Sequence, residues 1–234
     1  MIPLRDVIPS RTTPYVTVVI IILNALAWFF ELALPRDVLP DFLQVYGVVP
    51  AEFRVSTLAT SMFLHADFRA STLVTSMFLH GSWMHVIGNM WYLWIFGDNI
   101  EDRLGHGRFI VFYLLCGVAA ALGQIAMDPT STLPTIGASG AIAGVMGAYF
   151  VLYPQSRVLT LVPIIFYVEI IEVPAIVLLG FWFLMQLFSA GAIAVTASTG
   201  GGGVAFMAHV AGFVTGVVGV FVFRKRERRA DRWA

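Results

Sequence analysis

Four polar side chains in apolar surroundings are placed where they can do chemistry. Ser139 stands in Thr135 to Tyr149, reading TIGASGAIAGVMGAY, between glycines and alanines at the head of an apolar helix. His209 lies in a second Gly-rich apolar helix, and His85 and Asn89 lie one turn apart on a third. A serine hydroxyl is a weak nucleophile until a neighbouring base takes its proton. Imidazole titrates near neutral pH, which suits His209 to that task. At a helix start Ser139 sits among unpaired backbone N–H groups and the positive end of the dipole. Those donors, with His85 and Asn89, suit a developing oxyanion. Neither the Ser139 helix nor the His209 helix holds Asp or Glu, so the expected arrangement is a Ser–His dyad without a buried carboxylate.

The elements that must hold these groups are helices in lipid. Of 234 residues, 59% are apolar and only 12% charged, and the mean hydropathy is +0.84. A soluble domain of this length cannot hide so much apolar surface. Tyr15 to Leu34 is a first apolar run, about the length that crosses a ~30 Å core at ~1.5 Å per residue. It is too long for a cleavable signal and lacks a small-residue cleavage site, so it reads as a retained span. Asn24 within it is expected to face other helices. Trp83 to Gly97 is the second span, and Asp98 to Arg108 a short charged turn. Phe109 to Met127 is the third span. Ala138 to Tyr153 is the fourth and covers only ~24 Å, less than the hydrocarbon thickness. Residues 155–170 are a connection, Ile171 to Ala192 the fifth span, Ala197 to Gly203 a flexible loop, and Val204 to Phe223 the sixth span.

The fold class expected is therefore an all-α polytopic membrane protein, a six-transmembrane-helix bundle with a long outer loop between spans one and two. Residues 1–14 form a cytoplasmic N-terminal tail, 15–223 the six-span domain and 224–234 a basic cytoplasmic tail. With six spans both termini share one side. That side collects eleven Lys and Arg, against three (Arg36, Arg54 and Arg69) on the other. The positive-inside rule places both termini in the cytoplasm. The basic tail follows a span directly and reads as a topology anchor rather than a nucleic-acid patch. The single cysteine, Cys116, cannot form an intramolecular disulfide.

In this orientation Ser139, His209, His85 and Asn89 all fall in the outer third of the membrane. His209 is the sixth residue of its span, roughly 8 Å from the outer end. Gly140, Gly144 and Gly147 line one side of span four, and Gly212 and Gly216 repeat near the face of His209. Small residues let membrane helices approach closely, which a short Ser–His pair requires. Such spacing alone is generic packing, whereas a histidine within a span marks function.

Other polar groups read as structural. Glu101, in EDRLG at 101–105, is placed to cap or brace helices on the inner side. His80 is expected to hydrogen-bond within the outer loop, and His106 to be solvated. No ligand set with metal spacing is present, so no metal or other cofactor is expected. The long loop, residues 35–82, is expected to lie on the membrane surface. It contains a tandem repeat, STLATSMFLH at 56–65 and STLVTSMFLH at 71–80. Only the second copy runs on into the His85 segment, so function is assigned to that one and His65 is a bystander.

HGSWMHVIGNM (80–90), EDRLG (101–105), GASGAIAGVMGAY (137–149) and AHVAGFVTG (208–216) together resemble the rhomboid family of intramembrane serine proteases. They occur in family order, and the resemblance runs from Tyr15 to Phe223. It implies a six-helix core with a water-filled cavity open to the outside. It implies Ser139 as nucleophile and His209 as general base, with His85, Asn89 and the Ser139 N–H binding the oxyanion. Gly137, Gly140, Gly144, Gly212, Gly216 and Glu101 would support that site. Substrates would be single-span membrane proteins in the lipid bilayer, cut where small or helix-breaking residues let the strand unwind. A short chain with no added domain and no transit peptide suggests a prokaryotic plasma (inner) membrane. The fifth span and the outer loop before the sixth would act as gate and cap. Two departures stand out. The outer loop lacks the Trp-Arg pair of some members. Ala143 replaces a ring that in some members stacks on the histidine, a role left to another side chain such as Phe206 or Tyr149. A client-binding pseudoprotease would have lost Ser or His, and neither is lost. A transporter or channel would continue its polar residues to the inner side.

Overall fold

The computed structural model describes residues 1–53, 69–164, 167–196 and 205–225. The chain opens with strand β1 (Ile2–Asp6) and then runs through α1 (Tyr15–Ala33), α2 (Leu39–Tyr46) and a single turn, α3 (Thr72–Thr75). Next come α4 (Trp83–Leu104), α5 (His106–Met127) and α6 (Ser139–Leu152). Strands β2 (Arg157–Ile164) and β3 (Tyr167–Pro174) lead into α7 (Ala175–Thr196) and finally α8 (Phe206–Phe223).

The core is built around α6. Gly140 to Tyr149 are all buried, as expected of a helix that is apolar on every side and enclosed by others. α4, α5, α7 and α8 pack around it, and α1 leans on α4. The outward faces are equally apolar. Leu26, Phe29 and Phe30 of α1, Leu115 and Leu122 of α5 and Val218 and Val222 of α8 are exposed, a surface that suits lipid rather than water. α1, α5, residues Ala175–Ala192 of α7, and α8 are long and apolar enough to cross a membrane. α6 has 14 residues, roughly 21 Å, and is shorter still than the sequence suggests. Asn24 is buried, its amide donating to the Ile20 carbonyl.

Three boundaries differ from the sequence reading. The charged stretch after Gly97 is helix, not turn: α4 runs unbroken to Leu104 and pivots at Gly105, whose φ of +84° suits glycine. Its charges are satisfied by the N-terminal segment. The Glu101 carboxylate accepts the Val16 and Thr17 N–H groups (2.9 and 2.8 Å) and the Thr17 hydroxyl (2.7 Å), capping the start of α1. Asp102 accepts from Arg11 and Thr12, and Asp98 from Ser10. His106 is half-exposed rather than simply solvated, with Nδ1 bonded to Glu101.

The second difference lies between α6 and α7. Residues 157–174 form an antiparallel hairpin that pushes the start of the fifth span from Ile171 to Ala175. Val158, Thr160, Val162 and Ile170, Ile171 and Val173 are β-branched, and this favours the extended chain. Third, the N-terminal tail is not free: β1 adds to β2 and completes a sheet in the order β1-β2-β3. Asp6 anchors it, accepting from Tyr149 Oη (2.7 Å) and Asn99 Nδ2 (2.9 Å). The helical bundle expected from the sequence stands, with this small sheet added at the end of the bundle where Asn99 and Tyr149 meet Asp6.

The long loop between α1 and α4 is folded in part. Val48 bridges to Thr135, and Thr75 donates to the Tyr46 carbonyl. In the second copy of the repeat Thr72, Ser76, Met77, Leu79 and His80 are buried. The first copy, 56–65, lies outside the described residues, as do residues 197–204 and 226–234.

Candidate active site

Ser139 is the first residue of α6, and the first intrahelical bond runs from the Ile142 N–H to the Ala138 carbonyl (3.0 Å). The N–H groups of Ser139, Gly140 and Ala141 are therefore left at the helix start. Gly137 just before it has a φ of +121°, which an L side chain rarely adopts. A β-carbon there would also lie 2.7 Å from Nε2 of His85. Its N–H donates to the Ser76 carbonyl (2.8 Å), so the second repeat copy holds the turn that presents the serine.

His209 comes from α8. Its Nε2 lies 2.8 Å from Ser139 Oγ, and the ring is buried. The approach depends on glycine. A β-carbon on Gly212 would collide with the Gly140 carbonyl oxygen, and one on Gly216 with that of Gly144. The Gln124 amide oxygen of α5 accepts the Ala208 N–H (3.3 Å) and caps the first turn of α8 beside the histidine.

His85 and Asn89 approach from α4. Ser82 caps that helix and accepts the His85 N–H (3.2 Å). The Gly81 N–H donates to His85 Nδ1 (3.4 Å), which leaves Nε2, the nitrogen beside Gly137, to carry the ring proton. Asn89 Nδ2 donates to His80 Nε2 (3.0 Å), so His80 takes one of its two amide hydrogens. His80 does bond within the loop, Nδ1 to the Phe78 carbonyl (3.2 Å). It is more than a loop residue, because its backbone N–H also meets the buried Glu31 carboxylate of α1. Burial first, and the nearby His85 second, hold its imidazole down to about 4, so it stays a neutral acceptor.

The residues singled out in the sequence thus fall into two groups. Ser139, His209, His85, Asn89, Gly137, Gly140 and Gly212 converge, with Gly144 and Gly216 a turn deeper; Glu101 lies at the other end of α4. Two residues on α7 escaped sequence reasoning. Gln186 Oε1 lies 2.8 Å from His209 Nδ1, and the Trp182 ring lies 5.7 Å from the imidazole, tilted by 38°. The ring that meets the histidine is therefore Trp182, not Phe206 or Tyr149, and Tyr149 is committed to Asp6 and Ser156. The available signal was a Trp and a Gln four apart in an otherwise apolar span, hence on one helical face. A cavity of about 30 Å³ opens beside Ser139, walled by Met77, Gly117, Ala120, Ala141 and Ala208. That is room for one water or a methyl group.

A hydroxyl bonded to an imidazole at a helix start, faced by a ring N–H and an amide, is suited to acyl transfer. The family model of the Rhomboid domain matches residues 68–226.

The chain belongs to the rhomboid family.

As a rhomboid it is a multi-pass integral membrane protein, in keeping with its apolar helices. Rhomboid protease GluP of Bacillus subtilis is 38% identical over 64 residues, 27% of this chain and 12% of that protein. Rhomboid protein 1, mitochondrial, of Saccharomyces cerevisiae is 33% identical over 82 residues, 33% of this chain and 24% of that protein. The human presenilin-associated rhomboid-like protein, mitochondrial, is 35% identical over 80 residues, 32% of this chain and 21% of that protein. Each match thus spans a quarter or less of the rhomboid relative's own length.

Proposed function

We propose that this chain is an intramembrane serine endopeptidase that cuts single-span membrane proteins in or near their spans. The observation that carries the reading is the 2.8 Å approach of Ser139 Oγ to His209 Nε2. Ser139 Oγ attacks the carbonyl carbon of the scissile bond while His209 Nε2 takes its proton. The carbonyl oxygen becomes an oxyanion, met by His85 Nε2–H, the second amide hydrogen of Asn89 and the Ser139 N–H. The C–N bond then breaks, and His209 returns the proton to the leaving amine. Water, deprotonated by the same imidazole, releases the acyl group from Ser139. No step calls for a metal or another cofactor.

The short α6 supports a site reached by water from the outer side, below the level where longer helices end. The small cavity beside Ser139 supports a small residue, such as alanine, on the acyl side of the cut. Arg11, Arg103, Arg108 and Lys225 meet at one end of the bundle: Arg11 bonds Asp102, Arg108 bonds the Phe223 carbonyl, and the Lys225 N–H the Arg103 carbonyl. This clustering supports both termini on one side, the cytoplasmic one; the six spans and the plasma membrane are carried by the sequence reading.

The test is labelling of detergent-purified protein by a fluorophosphonate probe, beside Ser139→Ala and His209→Ala. Labelling of the parent alone is expected. A folded parent that neither labels nor cleaves a single-span substrate would favour a client-binding role instead.

A further inference from the structure

We propose that Gln186 is a positioning residue of this site, the third member of a Ser139–His209–Gln186 relay that acts through the imidazole. The inference rests on the hydrolytic reading above. Nε2 of His209 must accept the Ser139 proton, so Nδ1 must carry the ring hydrogen and needs an acceptor. Gln186 Oε1 meets it at 2.8 Å. An amide oxygen there selects the tautomer and fixes the ring plane, the task a carboxylate has in a Ser-His-Asp triad. Unlike a carboxylate it adds no net charge to an apolar bundle, where an ion is costly.

The placement on α7 is specific. Phe181, Leu184, Met185, Leu187 and Phe188 of that helix are exposed, while Trp182 and Gln186 turn inward. An amide facing hydrocarbon would lose its hydrogen bonds, so Gln186 is best satisfied against His209. Trp182, one turn before it, holds the imidazole from the side. Neither restraint comes from α6 or α8, the helices that carry the dyad. Seating of α7 therefore completes the site, and displacement of α7 withdraws both restraints together.

The experiment compares Gln186→Leu and Gln186→Glu with the parent, Ser139→Ala and His209→Ala in detergent. It measures kcat and KM on a model single-span substrate and the pH dependence of fluorophosphonate labelling. Among the described residues, His85 is the other titratable group that acts on His209. Gln186→Leu is expected to lower kcat and the labelling rate about tenfold with KM little changed. Gln186→Glu restores most of the rate and moves the acid limb of the profile to higher pH, because a carboxylate there favours the imidazolium. Parent-like kcat in Gln186→Leu, or an unmoved acid limb in Gln186→Glu, overturns the relay. If Gln186→Leu does not fold, the acid limb of Gln186→Glu decides. Ser139→Ala and His209→Ala separate the two levels. If both label like the parent, the hydrolytic reading fails. If both are silent while Gln186→Leu is parent-like, only the relay fails.

Discussion

Gly212 of α8 lies directly against the Gly140 carbonyl oxygen of α6, with no room between them for a β-carbon. Ser139 is the residue before Gly140, and His209 lies three before Gly212. Backbone contact between the two helices thus sets the distance between hydroxyl and imidazole. Gly212→Ala is expected to push the helices apart, at a cost of about 1–3 kcal/mol typical of overpacking. The labelling rate of Ser139 should fall with it. Thermal unfolding and labelling in the same detergent would check this, and an unchanged labelling rate would show that the glycine contact does not tune the pair.

Glu101 predicts the opposite separation. Its buried carboxylate accepts three hydrogen bonds from Val16 and Thr17 at the end of α4 away from His85 and Asn89, far from Ser139. Glu101→Ala leaves those buried donors without their acceptor, a loss of about 1–3 kcal/mol. The unfolding temperature should drop while labelling per folded molecule stays near the parent value. A fall in labelling at full stability would mean that Glu101 acts on the site itself.

His80 introduces a pH dependence. Its imidazole is held down to about 4 from an ordinary 6.5, so the native state binds fewer protons than the unfolded chain. Its contribution is complete above the unfolded value and is lost as pH falls from 6.5 through about 4. His80→Phe removes the acceptor of the Asn89 amide. The variant should be less stable than the parent at pH 7, and the gap in unfolding temperature should narrow as pH approaches 4. A gap independent of pH would assign the His80 contribution to packing alone.

On the proposed hydrolytic reading, the cavity beside Ser139 limits the residue on the acyl side of the cut. Replacing alanine by phenylalanine on the acyl side of the cut should lower kcat/KM by at least about tenfold, since a ring cannot enter a space of methyl size. A series of substrates graded by volume at that position, cleaved at equal concentration, would reveal the trend. Equal cleavage of all would move the binding of that side chain elsewhere.

The sequence alone singles out Ser139, His209, His85 and Asn89 as candidates, because each is a polar group in an apolar run and lipid makes that costly without a purpose. The helical bundle followed from run lengths, and the glycine spacing pointed to close helices. Other features rested on partners distant in the chain. Whether Asp98 to Leu104 is turn or helix depends on Arg11, Thr12, Val16 and Thr17, which arrive more than 80 residues away to satisfy its carboxylates. β1 has a place only because the 157–174 hairpin lies beside it. Glutamine and tryptophan in a span are ordinary by type, and only the packing of α7 against α8 turns Gln186 and Trp182 toward His209. Composition and periodicity determine which segments enter lipid and which residues are expensive there. The partner that satisfies each expensive group is decided by tertiary structure, because hydrogen bonds depend on angstroms of approach between segments that no local pattern relates.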